Sequence, residues 1–204
     1  MILSHPFILK CPECGALHNR TNLISGNSFG GIFWSDGYYM APMLPDIPRF
    51  SKCYQCGAVF NVELCEKTES EHESTDRYPE VSLPDKEGLM SAIENNIYKD
   101  NIDDEIYLRI KLWQEMNPRP FQINETVMLE PDENYRNNAQ ALLKLLDPDE
   151  DYNLLIIAEI HRNLSEFKES LASLAKISDI TLKDRTKQIK NACKKRINGV
   201  IRFQ

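Results

Sequence analysis

Four cysteines in two matched pairs constrain this chain more than any other feature. They stand as Cys11-Pro12-Glu13-Cys14-Gly15 and Cys53-Tyr54-Gln55-Cys56-Gly57. The opening MILSHPFILK has no basic segment ahead of its short apolar stretch, so it does not read as an export signal. In the reducing compartment this implies, a C-x-x-C pair is a metal or redox site rather than a disulfide staple. A redox pair works at the mouth of a helix, whose dipole depresses the attacking thiol's pKa. Here each pair runs instead into strand-like sequence, Ala16-Leu17-His18 after the first and Ala58-Val59-Phe60-Asn61-Val62 after the second. The pairs are therefore expected to be metal ligands.

Zinc suits the pattern. Two thiolates three positions apart on a tight turn both reach one ion at about 2.3 Å, and two such turns complete a tetrahedron. The glycine after each second cysteine permits a left-handed backbone, which turns amide N–H groups toward the sulfurs. Those donors matter because four thiolates around a divalent ion leave about two negative charges to disperse. Four sulfurs also fill the coordination sphere, so one structural Zn²⁺ is expected on Cys11, Cys14, Cys53 and Cys56, with no open position for catalytic water. His5, His18 and Cys65 are spare donors that two complete pairs make unnecessary, and Cys65 reads as a small hydrophobe ending a strand. The paired C-P-E-C-G and C-Y-Q-C-G knuckles resemble the zinc-ribbon family over about residues 7 to 65. The spacer between them is long for a ribbon, which implies an inserted element.

That insert contains Ile32-Phe33-Trp34 and Tyr38-Tyr39-Met40 on either side of Ser35-Asp36-Gly37, the signature of a β-hairpin turning at Asp-Gly. Prolines 42, 45 and 48 then carry the chain in extended form to the second knuckle. Phe33, Trp34, Tyr38 and Tyr39 have two readings. They supply apolar core that a domain of this size otherwise lacks, or one aromatic face stays open to dock a peptide or an unpaired base. Strand alternation lets both hold in part.

After Cys65 the composition shifts. Residues 66 to 76 contain no apolar side chain and are strongly acidic, which reads as a mobile connector. From about residue 85 the apolar period becomes helical. Six stripes follow: Leu89, Ile93 and Ile97; Ile106, Ile110 and Trp113; Ala139, Leu142, Leu143 and Leu146; Leu154, Ile157, Ala158 and His161; Phe167, Leu171, Leu174 and Ile177; and Ile189, Ala192, Cys193 and Ile197. Short connections between amphipathic helices favour antiparallel hairpins. The order Leu154, Ile157-Ala158, His161, Ser165, Phe167, Ser170, Leu174 resembles the tetratricopeptide repeat, with His161 where that family places an aromatic residue. The resemblance implies a binding scaffold. His161 and Cys193 are expected to pack.

The fold class expected is α+β: an N-terminal antiparallel β zinc ribbon over residues 1–66, an acidic linker over 67–84, and an all-α, tetratricopeptide-like domain over 85–204. Acids at Asp147, Asp149, Glu150 and Asp151 suggest a calcium loop, but Tyr152 stands where an EF-hand needs glycine and Ala158 where it needs glutamate. Helix capping is the simpler role for them and for Glu130, Asp132 and Glu133. No Ser/His/Asp order, nucleophile elbow or H-E-x-x-H is present, so no enzyme is expected. No apolar run nears the roughly 20 residues of a bilayer span, and a cytoplasmic protein is expected.

Net charge is -7 over the 204 residues, which argues against coating nucleic acid by bulk electrostatics. The charge is unevenly placed. Residues 183 to 202 hold eight basic side chains against Asp184, with Lys187, Lys190, Lys194, Lys195 and Arg196 as the candidate basic patch. A solvated helix face balanced by acidic neighbours is the favoured account of it. The function expected is a zinc-stabilised, non-catalytic adaptor that binds a protein partner. Its rival is a nucleic-acid-associated ribbon regulator using the aromatic hairpin and the basic last helix.

Overall fold

A computed structural model describes residues 1–69, 77–122 and 125–204. The architecture is α+β, with strands in the N-terminal part and helices in the C-terminal part. The strands are β1 (Ile2–Lys10), β2 (Leu17–Ser25), β3 (Ile32–Phe33), β4 (Tyr39–Met40), β5 (Phe50–Lys52), β6 (Val59–Asn61) and β7 (Lys67–Glu69). The helices are α1 (Lys86–Glu94), α2 (Ile102–Met116), α3 (Glu133–Leu145), α4 (Asp151–Asn163), α5 (Phe167–Lys176) and α6 (Lys183–Lys194), with a 3₁₀ turn at Ile180–Leu182. Each α-helix among the described residues carries all or most of one expected apolar stripe, with Ile97, Leu146, Ile177 and Ile197 falling just past the helix ends. Among the described residues, no helix is long and apolar enough to cross a membrane.

The chain divides into two compact units, and their boundaries differ from those expected. The first comprises Met1–Gly31 and Met40–Asn101, the second Ile32–Tyr39 and Ile102–Gln204. The hairpin insert is thus part of the helical unit, and α1 is part of the cysteine unit.

In the first unit, β1 is the centre of an antiparallel sheet ordered β2-β1-β7, and β5 pairs with β6 in a separate two-stranded sheet. Leu9, Phe60, Val62 and Val81 form its core together with the buried thiols Cys11 and Cys53. Much of the stretch expected as linker is ordered. Lys67–Glu69 form β7, Val81 is buried, and Asn19 N–H donates to Pro79 O while Val81 N–H donates to Asn19 O. Residues 70–76 of the acidic connector, His72 included, lie outside the described residues. Helix α1 joins this unit because its apolar face buries Leu89 and Ala92. Its N-cap Asp85 accepts the Gly88 N–H at 2.9 Å and pairs with Lys52 Nζ at 2.9 Å. The Lys52 ammonium, then the Gly88 N–H, hold the Asp85 carboxyl below the usual carboxylate range.

The second unit has two apolar clusters. Trp113, Tyr135, Ala139, Leu142 and Ile160 anchor one, and Leu155, Ala158, Leu174, Ile189 and Cys193 the other. Of the acids expected as caps, Asp132 caps α3, accepting the Tyr135 N–H at 2.7 Å, whereas the α4 N-cap Glu150 makes no side-chain cap hydrogen bond. Asp151 instead ties α4 to the residues just past α5, accepting from Ser178 N, Ser178 Oγ and Asp179 N.

A buried polar system also runs through the second unit. Glu159 and Arg162, adjacent on one face of α4, are both 0% exposed and ion-paired, with Arg162 Nε donating to Glu159 Oε2 at 2.8 Å. Arg162 Nη1 also donates to the carbonyls of Ile197 and Gly199, at 2.5 and 2.7 Å. The Ser35 hydroxyl from the hairpin turn donates to Glu159 and accepts the Ile201 N–H at 3.0 Å. Next to it, Asp36 is paired with Arg119 at 2.9 Å and accepts from Asn117 at 3.2 Å. Burial raises the Asp36 carboxyl despite Arg119, the Tyr38 N–H and Asn117. This network gives Ile32–Tyr39 their place: the turn supplies a hydroxyl and a carboxylate to groups that would otherwise be buried without partners.

The final residues close the arrangement, with Phe203 N–H donating to Phe33 O at 2.9 Å and Ser35 N–H to Ile201 O at 2.9 Å. Gly199 admits them, since a Cβ there would lie 1.8 Å from the Val127 carbonyl oxygen.

Arg162→Ala leaves Glu159 as an unpaired buried charge and is expected to cost about 3–5 kcal/mol, read as a lower urea midpoint by far-ultraviolet circular dichroism. Gly199→Ala should lower the same midpoint, because its obstacle is backbone rather than a side chain that can swing away.

Candidate metal centre

Each cysteine pair sits on the same backbone device. In the first knuckle Cys11 N–H donates to Ala16 O at 2.8 Å and Gly15 N–H to Cys11 O at 3.0 Å. In the second, Cys53 N–H donates to Ala58 O at 2.8 Å and Gly57 N–H to Cys53 O at 2.9 Å. Gly15 and Gly57 both have φ of +76°, a left-handed conformation that favours glycine, so the turn closes without strain. Strand β2 follows the first knuckle and β6 the second, as the sequence predicts.

The two knuckles bring their thiols together. Sγ of Cys11, Cys14, Cys53 and Cys56 all lie within 4.8 Å of one another, an arrangement that can hold a metal ion. Across the knuckles Cys11 and Cys56 are 3.9 Å apart and Cys14 and Cys53 3.6 Å. A tetrahedron with metal–sulfur bonds of about 2.3 Å has edges of about 3.8 Å, so these separations suit four thiolates around a single ion. They are far beyond a sulfur–sulfur bond, and the cysteines are free. Cys11 and Cys53 are buried, whereas Cys14 and Cys56 are exposed.

The electrostatics divide the four. Burial alone raises the Cys53 thiol, but the N–H groups of Cys56 and Gln55, the His18 side chain and Cys14 outweigh it and bring it down to about 6. Burial raises the Cys11 thiol against the opposing N–H groups of Cys14 and Glu13. At Cys14 the Ala16 N–H favours the thiolate, yet desolvation and the neighbouring Cys56, Cys53 and Cys11 thiols push it up to about 12. Four thiols this close cannot all ionise without a cation between them.

The spare donors stand outside the cluster. His5 is exposed, and Cys65 packs against the core with its thiol donating to Asn61 O at 3.3 Å. His18 is buried beside Cys53 without belonging to the four. In the helical unit Cys193 is buried against Ser170 Oγ at 3.2 Å, and His161 Nδ1 lies 2.7 Å from Glu166 Oε2.

The other candidate residues have diverse surroundings. Trp34 is 1% exposed, and its indole N–H donates to Pro120 O at 2.8 Å, so it is core and not a docking face. Phe33, Tyr38 and Tyr39 are half-buried; Phe33 stacks on Tyr39 at 6.0 Å and Tyr38 lies under the Arg119 guanidinium at 4.0 Å. Lys187, Lys194, Lys195 and Arg196 are exposed on and just beyond α6, Lys190 is half-buried, and Arg196 covers the Phe167 ring at 5.1 Å.

Comparison with protein-family models, curated proteins and solved structures finds no match. The reading of this site therefore stands on its geometry.

A metal ion competes with protons for the sulfurs, so occupancy should fall as pH falls. At pH 7 Cys53, near 6, is already largely thiolate, while Cys14, near 12, is a thiol whose proton binding must expel. Uptake should thus release at least two protons, those of Cys11 and Cys14. Calorimetry in buffers of differing ionisation enthalpy measures that number, and release of none would contradict the assigned ligands.

Proposed function

We propose that the chain is a zinc-stabilised, non-catalytic adaptor whose role is to bind a protein partner. The observation that carries the metal part is the convergence of four sulfurs from two matched turns to within 4.8 Å of one another. Zinc is favoured because an all-thiolate tetrahedron suits a borderline-soft ion without geometric preference of its own. Cys11, Cys14, Cys53 and Cys56 would hold it, and the ion would supply cross-linking of the two knuckles. With four protein ligands no coordination position is left for a substrate or an activated water, which supports a structural role.

Partner binding rests on the second unit. Its α4–α5 hairpin keeps the residue order that resembles a tetratricopeptide repeat, turning at Ser165 with φ of +65°. The nucleic-acid reading retains the exposed lysines of α6 but loses its strongest stacking residue, since Trp34 is buried.

Chain purified without added metal should contain about one zinc per molecule by elemental analysis, and Cys53→Ser should lose it. A folded, metal-free wild-type chain would sink the assignment. Cross-linked affinity purification from native lysate, with and without nuclease, separates the partner classes. A protein retained after nuclease supports the adaptor reading. Capture abolished by nuclease, together with micromolar binding of single-stranded RNA at physiological salt, would replace it with the nucleic-acid reading.

A further inference from the structure

The knuckles are near copies in backbone, but what surrounds their buried sulfurs differs. The Cys11 sulfur is met by the N–H groups of Cys14 and Glu13 and by its neighbouring thiols. The Cys53 sulfur is met by the equivalent N–H groups of Cys56 and Gln55 and also by a side chain, His18.

Three elements fix that imidazole. His18 lies on β2 opposite Leu9 of β1 and is 1% exposed. The Tyr54 ring, from inside the second knuckle, meets it edge-on at 5.1 Å, and Phe60 of β6 meets it at 5.3 Å. Its Nε2 is buried and makes no hydrogen bond among the described residues. A buried donor left unsatisfied is costly, and natural structures rarely keep one. Cys53 belongs to the same buried cluster as Leu9 and Phe60, which flank the imidazole, and its sulfur, whose ionised form the His18 side chain favours, is the acceptor there.

We propose that His18 is a positioning residue of the metal centre, donating Nε2–H to the Cys53 sulfur so that the thiolate's charge is dispersed and its bond to the ion is held in one orientation. The proposal rests on the reading of the four cysteines as a metal centre. A donor that hydrogen-bonds a ligating sulfur orients that ligand and slows its loss from the ion. Cys14 and Cys56 are the exposed ligands, so a chelator meets the centre from their side, and Cys53 is the ligand that His18 secures on the buried side.

The test uses the full chain loaded with zinc or with Co²⁺. His18→Phe keeps an aromatic ring against Tyr54 and Phe60 but removes the donor, whereas His18→Gln restores an N–H. His18→Phe is expected to surrender zinc to a chelator about 10–100-fold faster than wild type. In the cobalt form its sulfur-to-metal charge-transfer band should shift, with His18→Gln returning toward wild type in both readouts. Unchanged release and an unchanged band in His18→Phe would overturn the proposal.

A measurement on the wild-type chain covers the case in which His18→Phe does not fold. A long-range ¹H–¹⁵N spectrum should show the His18 proton on Nε2, and an Nε2 without a proton would equally overturn it. A wild-type chain that takes up neither zinc nor Co²⁺ refutes the metal centre itself, a result distinct from a loaded chain indifferent to His18.

Discussion

Mutual repulsion among four converging thiolates is the constraint on which the cysteine unit depends. Two glycine-closed turns bring two cross-knuckle sulfur pairs to tetrahedral edge lengths and aim backbone N–H groups at the sulfurs, yet burial and crowding still drive the Cys11 and Cys14 thiols upward. Only a cation in the middle reconciles that geometry with four ionised sulfurs. Several strands around the site are short: β5, β6 and β7 have three residues each. Strands this short bury little on their own, and a metal cross-link between the knuckles would let them hold a register.

The helical unit meets a different requirement, that of satisfying a buried charge pair. Glu159 and Arg162 lie on the inward face of α4, where an apolar residue would be simpler. Removing two charges from water is expensive and is offset only when every remaining donor and acceptor finds a partner. Those partners come from distant parts of the chain: Ser35 in the hairpin turn, and the carbonyls of Ile197 and Gly199 beyond α6. Trp113, Tyr135, Asn117 and Asn163 form a second buried set, linked by the Trp113 indole N–H to Tyr135 Oη at 2.7 Å and by Tyr135 Oη to Asn163 at 3.1 Å. Polar groups of this kind specify which segments belong together more sharply than apolar contact does. They account for a hairpin that is inserted between the knuckles in sequence and yet packs with the helices.

Legibility in the sequence followed the range of the interactions. The knuckle turns, the strands after them and the six amphipathic helices depend on neighbours within a few residues, and all were readable from spacing and period. The unit boundaries were not. Ser35 and Glu159 are separated by 124 positions, and no local pattern announces that they meet. The aromatic hairpin reads as ribbon core or docking face because alternation alone cannot say which surface Trp34 faces. His18 was visible only as a spare ligand, since its position against Tyr54 and Phe60 comes from pairing β2 with β1 and folding the second knuckle back over it.

The sequence by itself determined the chemistry of the candidate site and the type of the helices and of the strands after the knuckles, because ligand spacing, glycine placement and apolar period are local properties of the chain. The tertiary structure decided which thiols are buried, which side chain attends Cys53, and that Ile32–Tyr39 belong with the helices while α1 belongs with the cysteines. Those outcomes depend on satisfying buried polar groups across long separations, a condition that exists only once the chain has folded.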